Sequence, residues 1–182
     1  MKWLDTILVL VTAFLAAFGE AAFQGIRHLV GAQIDLLPAL VVYASLSAGL
    51  GTVVSLAVCG GLWFDSLSAN PLGISVLPLL AAGVAIYAQR DLILRSQVFA
   101  RLILGLVASI VVPVLTLILL LTTSHRPLLG WGTLWQLFVM SVGGSIATPL
   151  LFEIFSFFHR LLDPVPASEP SFRADREIRR GK

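Results

Sequence analysis

The sequence predicts an all-α membrane protein, a compact bundle of six transmembrane helices, and three observations predict it. Of 182 residues, 58% are apolar and only 12% are charged, where a soluble domain carries about 25% charge. The apolar residues fall in long uncharged runs, and the mean hydropathy is +0.96. Those runs lack the alternation of apolar and polar residues that a membrane barrel needs. A water-soluble fold of this length cannot hide so much apolar surface, so lipid is the solvent.

The elements follow from reading each run against a hydrocarbon core of about 30 Å, or roughly 20 helical residues. The first span falls near 3–23; it is too long for the core of a cleavable signal peptide. Leu36–Phe64 is the next uncharged run. As one helix it would measure about 43 Å, long even for a tilted span. Ala48-Gly49-Leu50-Gly51 offers a turn inside it, because glycine adopts turn conformations at little cost. Two helices, near 34–49 and 51–66, are therefore expected. The remaining spans fall near 73–89, 102–122 and 133–158. Residues 1–162 make one membrane domain, and 163–182 read as a disordered tail of mixed charge.

Charge sets the orientation. With six spans and an inner N-terminus, ten cations lie inside: Lys2, Arg90, Arg95, Arg101, Arg160, Arg173, Arg176, Arg179, Arg180 and Lys182. Only Arg27 and Arg126 lie outside. Five spans with an outer N-terminus score the same, exchanging Lys2 for Arg27. Both arrangements put Asp65 at the outer face and the C-terminus inside. Gln24–Asp35 reads as an external loop, and Arg90–Arg101 as a stretch along the inner headgroups.

No catalytic constellation stands out. His28, His125 and His159 sit at span ends or in loops, and none forms a metal pair at helical spacing. There is no Gly-x-Ser-x-Gly elbow and no phosphate loop. Catalysis, a cofactor, a metal and a nucleic-acid partner are all unexpected. Cys59, the single cysteine, reads as a small buried hydrophobe.

Ionisable groups in or near lipid are the candidates that remain, because burying one is costly unless it is paired. Glu20 and Asp65 lie near the outer edge and Glu153 near the inner one. Glu20 and Glu153 read as interfacial or internally bonded carboxylates. Asp65, followed by Ser66 and Ser68 and then Asn70-Pro71, reads either as a cap on the turn or as a functional group. Small residues also recur at helical spacing: Ala13, Ala17 and Ala21, then Ala57/Gly61, Gly105/Ser109 and Ser141/Ser145. Such stripes let helix backbones approach closely in lipid. Pro78, Pro113 and Pro149 each fall within a span and should kink it, giving an irregular bundle or a shallow cavity. Trp63, Trp131 and Trp135 belong at the outer interface, where amphipathic rings settle.

One segment carries a family resemblance. Asp35-Leu-Leu-Pro38, a helical hairpin, and then Gly60-Gly61-Leu-Trp-Phe-Asp65-Ser-Leu-Ser68-Ala-Asn-Pro-Leu72-Gly73 resemble the rod shape-determining protein MreD family. The closing Ala147-Thr-Pro-Leu-Leu-Phe152 and the basic exit His159-Arg160 are similar to that family's last helix. Ala69 stands where the family usually has glycine, and Asp35-Leu-Leu-Pro38 reorders its usual Pro-Asp lead-in. The resemblance implies that Gly60, Gly61, Asp65, Ser68, Leu72, Gly73 and Pro38 form a partner-binding or structural motif. It implies a non-catalytic scaffold in the bacterial inner membrane, both termini cytoplasmic, acting in cell shape and cell-wall synthesis. Its partners would be an MreC-like single-span protein, cytoplasmic MreB filaments, and a RodA-type polymerase with its transpeptidase.

A second family is similar in outline. The substrate-binding subunits of energy-coupling-factor transporters are also six-helix bundles, with a fold like that of MreD proteins. Their first helix carries an Ala-x-x-x-Ala docking stripe, which Ala13, Ala17 and Ala21 resemble.

Overall fold

A helix that is apolar on every face belongs in an interior, and the segment Leu37–Ser47 meets that description: all its residues from Leu37 to Leu46 are buried. The computed structural model describes residues 2–22, 34–68, 71–90, 98–122 and 130–162. Among them are six helices: α1 (Lys2–Ala22), α2 (Leu37–Ser47), α3 (Leu50–Leu67), α4 (Val76–Gln89), α5 (Val98–Thr122) and α6 (Trp131–Leu162). The expected loop at 24–33, the inner-face stretch at 91–97, the turn residues Ala69 and Asn70, and the tail lie outside the described residues.

The split of the long apolar run falls where the glycines allow it. The Ala48 N–H donates to the Ala44 carbonyl (2.9 Å) and closes α2, while the Thr52 and Val53 N–H groups donate to the Gly49 carbonyl and open α3. Length then separates the helices into two kinds. α1, α3, α5 and α6 are each long and apolar enough to cross a membrane, so the protein is membrane-embedded. α2 has 11 residues and α4 has 14, about 16 and 21 Å, against a core of about 30 Å. The segments expected as spans near 34–49 and 73–89 are therefore the short ones. An apolar run records where lipid or protein surrounds the chain: protein does so around α2, while α4 also keeps exposed apolar residues such as Leu77 and Val84.

α2 touches all five other helices. Around it the neighbours follow the order α1, α3, α4, α5, α6, each packed against the next. The ring does not close: among the described residues α1 has no backbone contact with α6 or α5. A seam therefore runs down the flank between α1 and α6.

Small and hydroxylated residues make the close crossings, as transmembrane packing requires. On α5, Gly105 and Ser109 nest against Gly144 and Thr148 of α6, and the Ser145 hydroxyl donates to the Leu102 carbonyl (3.1 Å). Ser141, buried on α6, turns its hydroxyl to the Phe138 carbonyl of its own helix. The Ser45 hydroxyl ties α2 to the Gly83 carbonyl of α4 (3.0 Å), and Thr6 meets Thr52 between α1 and α3 (2.7 Å). Ala13 and Ala17 are buried, but Ala21 is exposed. The buried part of the expected three-alanine stripe thus ends at Ala17, and Ala21 lies at the cavity wall.

Two further expectations change. Pro78 does not interrupt a helix: α4 starts at Val76, and a first-turn residue has no intrahelical acceptor to lose. Pro113 and Pro149 do lie inside α5 and α6. Cys59 is half-buried on α3 rather than enclosed.

The end of the bundle that holds the C-terminus of α2 is tightly filled. Tyr43 stacks on Phe155 (4.1 Å between ring centroids) and meets Phe152 edge-on (5.0 Å). The Arg101 guanidinium lies over the Phe152 ring (4.3 Å). His159 on α6 reaches Asp5 on α1 (3.5 Å) and bridges the seam there.

Candidate functional site

The sequence motif folds into one joint between α3 and α4. Asp65 lies in the last turn of α3 and is 1% exposed. One carboxylate oxygen accepts the Ser75 hydroxyl (2.6 Å) and the other accepts the Ser75 N–H (3.1 Å). Ser75 is the residue before α4, so its N–H belongs to the donors that a helix start leaves without an internal acceptor. A carboxylate aimed at a helix N-terminus is also favoured by the helix dipole. Asp65 thus clamps the start of one helix from the end of another. It acts as a cap, as one of the two sequence readings had it, but on a helix ten residues further along the chain.

The remaining motif residues make that reach possible. Gly61 sits one turn before Asp65 on the same face, and a Cβ there would stand 3.0 Å from the Val76 Cα and 3.1 Å from its N. Only glycine lets the two backbones approach so closely. Between the helices, the Ser68 N–H donates to the Phe64 carbonyl (3.0 Å) and the Ser68 hydroxyl to the Asp65 carbonyl (3.4 Å). The chain then reverses through Gly73, whose φ of +87° suits a residue without a Cβ. Gly60, on the neighbouring face of α3, packs against Leu37 and Ala13. That contact joins the glycine pair to the alanine stripe.

Two of the nominated residues stand apart from the clamp. Leu72 is at the tip of the turn and 73% exposed. Pro38 is buried in the first turn of α2, where a missing N–H costs nothing. Trp63 lies beside the joint, edge-on to Phe14 of α1 (5.3 Å). Trp131 and Trp135 are exposed at the same end of the bundle.

Two participants, Ser75 and Asp35, were not nominated from the sequence, and a third, Glu20, is internally bonded, one of the two readings given to it. Ser75 carries the Asp65 contact, and its one signal was a serine just ahead of an apolar run. Asp35 accepts the Leu37 N–H (2.8 Å), and Glu20 reaches from α1 to accept the Leu36 N–H (2.8 Å). These two carboxylates satisfy the start of α2 as Asp65 satisfies the start of α4. Glu153 differs: it is exposed on α6.

Beside the joint, at the end where α2 begins, lies a cavity of about 920 Å³. Its walls come from the last turns of α1 and α3, the first turns of α2 and α4, the second half of α5 and the start of α6. Phe64, Ser68, Ser75 and Leu79 are shared between the cavity wall and the α3–α4 joint. Among the described residues no group of three His, Cys, Asp or Glu side chains could hold a metal ion.

Comparisons of the chain with known protein families, with characterised proteins and with solved structures find no match.

Proposed function

We propose that this chain is a non-catalytic scaffold of the bacterial cell-elongation machinery, similar in role to MreD proteins. One observation carries the reading. The residues on which the resemblance rests, Gly61, Asp65, Ser68 and Gly73, meet with Ser75 in a single internal joint. Both oxygens of the Asp65 carboxylate are engaged on Ser75, so the group that stands out most in the sequence is committed to architecture. A protein whose most conspicuous ionisable residue shapes the bundle acts through the surfaces it presents.

In this reading the chain lies in the inner membrane with six crossing segments, two of them the short α2 and α4. The C-terminus faces the cytoplasm. It binds an MreC-like single-span protein and couples MreB filaments inside to a RodA-type polymerase and its transpeptidase outside.

The rival reading, a substrate-capture subunit of an energy-coupling-factor transporter, draws on the cavity. It needs an alanine stripe presented for docking, and Ala13 and Ala17 are buried inside the bundle. The scaffold reading keeps the advantage.

The test is an affinity pull-down of the tagged full-length chain from its native membranes in mild detergent, with partners identified by mass spectrometry. Recovery of a single-span coiled-coil protein, alone or with wall synthases, is expected. Recovery of paired cytoplasmic ATPases with a membrane coupling subunit would overturn the scaffold.

A further inference from the structure

The cavity has a structural cause. Four membrane-length helices and the shorter α4 surround α2, and α2 is too short to fill the space between them (about 16 Å against about 30 Å). At one end the shortfall is made up by Tyr43, Phe152 and Phe155. At the other end it is left as open volume.

Among the described residues the same end is where the ring is open. α1 and α6 make no backbone contact. The His159–Asp5 bridge spans the seam at the far end; at the cavity end the two helices are linked through the residues leading into α2, where Leu36 donates to Glu20 and Ile34 packs on Gly143. The cavity is walled on one side by Leu15, Ala16, Gly19 and Ala21 of α1 and on the other by Leu137 and Met140 of α6. It therefore lies along the seam, on the flank of a membrane-embedded bundle.

The lining specifies what fits. Glu20, Asp35, Ser68, Ser75, Thr116 and Thr133 line the cavity, and each already makes a hydrogen bond within the chain. Most of the polar groups in the wall are thus engaged within the chain, and Gln136 of α6 adds a further one. The rest of the wall is dominated by leucines, among them Leu37, Leu79, Leu117 and Leu120. A largely apolar cavity holds apolar matter in preference to water. Its volume falls in the range of ligand pockets, about 300–1,000 Å³.

We propose that an acyl chain of a bilayer phospholipid occupies this cavity, entering sideways through the seam between α1 and α6. The bilayer supplies apolar chains at high local concentration at the mouth of the seam. A second transmembrane helix fits less well. Close helix approach needs small residues on both sides, and the α6 side presents Gln136, Leu137 and Met140. The inference is independent of the scaffold reading, since a lipid can complete the bundle whatever the bundle binds.

The test uses the full-length chain in nanodiscs of phosphatidylcholine carrying a diazirine near the end of one acyl chain. After photolysis, mass spectrometry maps the labelled residues. Leu37 and Leu79 are decisive, because both line the cavity and each is only 1% exposed. Ile146 and Leu150, exposed on α6, report ordinary lipid contact. The expected result is labelling of Leu37 or Leu79 within about threefold of Ile146. In Thr116→Phe, and separately in Leu117→Phe, that label should fall at least tenfold while the Ile146 label stays. Two variants are used so that a folding failure in one, visible as a changed surface pattern, leaves the other decisive. Labelling confined to the exposed positions, or cavity labelling that persists in a folded cavity-filling variant, would overturn the proposal. So would a cross-link joining the seam to a co-purified helix in place of lipid.

Discussion

At its C-terminal end α2 is finished by aromatic side chains, Tyr43 stacked on Phe155 with Phe152 against its edge; at its N-terminal end it is finished by two carboxylates, and a cavity lies beyond them. Both ends face the same problem, a short helix inside a ring built for a bilayer. The aromatic end solves it with volume, so its stability rests on packing. The carboxylate end solves only the hydrogen-bonding part of it: Glu20, Asp35 and Asp65 supply acceptors to the starts of α2 and α4. Space is left over. Substitutions should therefore hurt the two ends for different reasons.

The largest effect is expected at the filled end. Phe155 is 1% exposed, and Phe155→Ala should cost about 3–5 kcal/mol, read from equilibrium unfolding in detergent. An effect below about 1 kcal/mol would mean that this end is no better packed than the other.

Asp65→Ala comes next. It leaves the buried Ser75 N–H and hydroxyl without their acceptor, at a cost of about 1.5–3 kcal/mol for charge-assisted bonds. Asp65→Asn keeps an acceptor and should recover part of the loss. Equal damage from both variants would show that charge at the start of α4, rather than an acceptor, is what matters. The pull-down complex should weaken in step with folding, and an Asp65→Ala protein that stays folded and complexed would make the clamp incidental.

Added volume contrasts the two ends directly. Ala44 is fully enclosed on α2, and Ala44→Leu should cost about 1–3 kcal/mol through overpacking. Ala16 lines the cavity, and Ala16→Leu should be close to neutral in the same assay. Equal penalties would mean that the cavity end has no spare space.

The smallest effect belongs to the bridge across the seam. His159 and Asp5 are both partly exposed, and an exposed pair is worth roughly 0–1 kcal/mol. Asp5→Asn should shift stability by less than about 1 kcal/mol and leave the aromatic stack intact, visible as unchanged near-ultraviolet circular dichroism.

What the sequence made legible follows the same division between local and distant causes. The turn at Ala48–Gly51 could be read because glycines mark it within a few residues. The capping role of Asp65 could be read from its place at a span end, but Ser75 could not, since the chain must reverse before the two meet. The split of the long run implied short helices, and α2 and α4 fall within the segments read for them, 34–49 and 73–89, each starting three residues later. Ala21 keeps the spacing of Ala13 and Ala17, yet spacing alone does not say that a cavity rather than a packed neighbour lies beside it. The in-span prolines pointed to an irregular bundle or a shallow cavity, and Pro113 lines the one observed, but the cavity's place at the start of the short α2 had no local signature. The proposed scaffold role rests on the motif residues, and on how they join, rather than on any matched relative.

The centrality of α2 also constrains how the protein is made. This helix is the second to leave the ribosome among those described, and it touches all five others. Its aromatic neighbours Phe152 and Phe155 are more than 100 residues downstream. At about 16 Å it cannot cross the membrane unaided, so it enters as one arm of a hairpin with α3. Until α5 and α6 have been synthesised, part of its surface faces lipid, which its apolar side chains tolerate. Assembly is therefore late and nearly all-or-none. Truncation after α4 removes two of the walls around α2, and quality control in the membrane would meet an unfinished bundle rather than a smaller finished one.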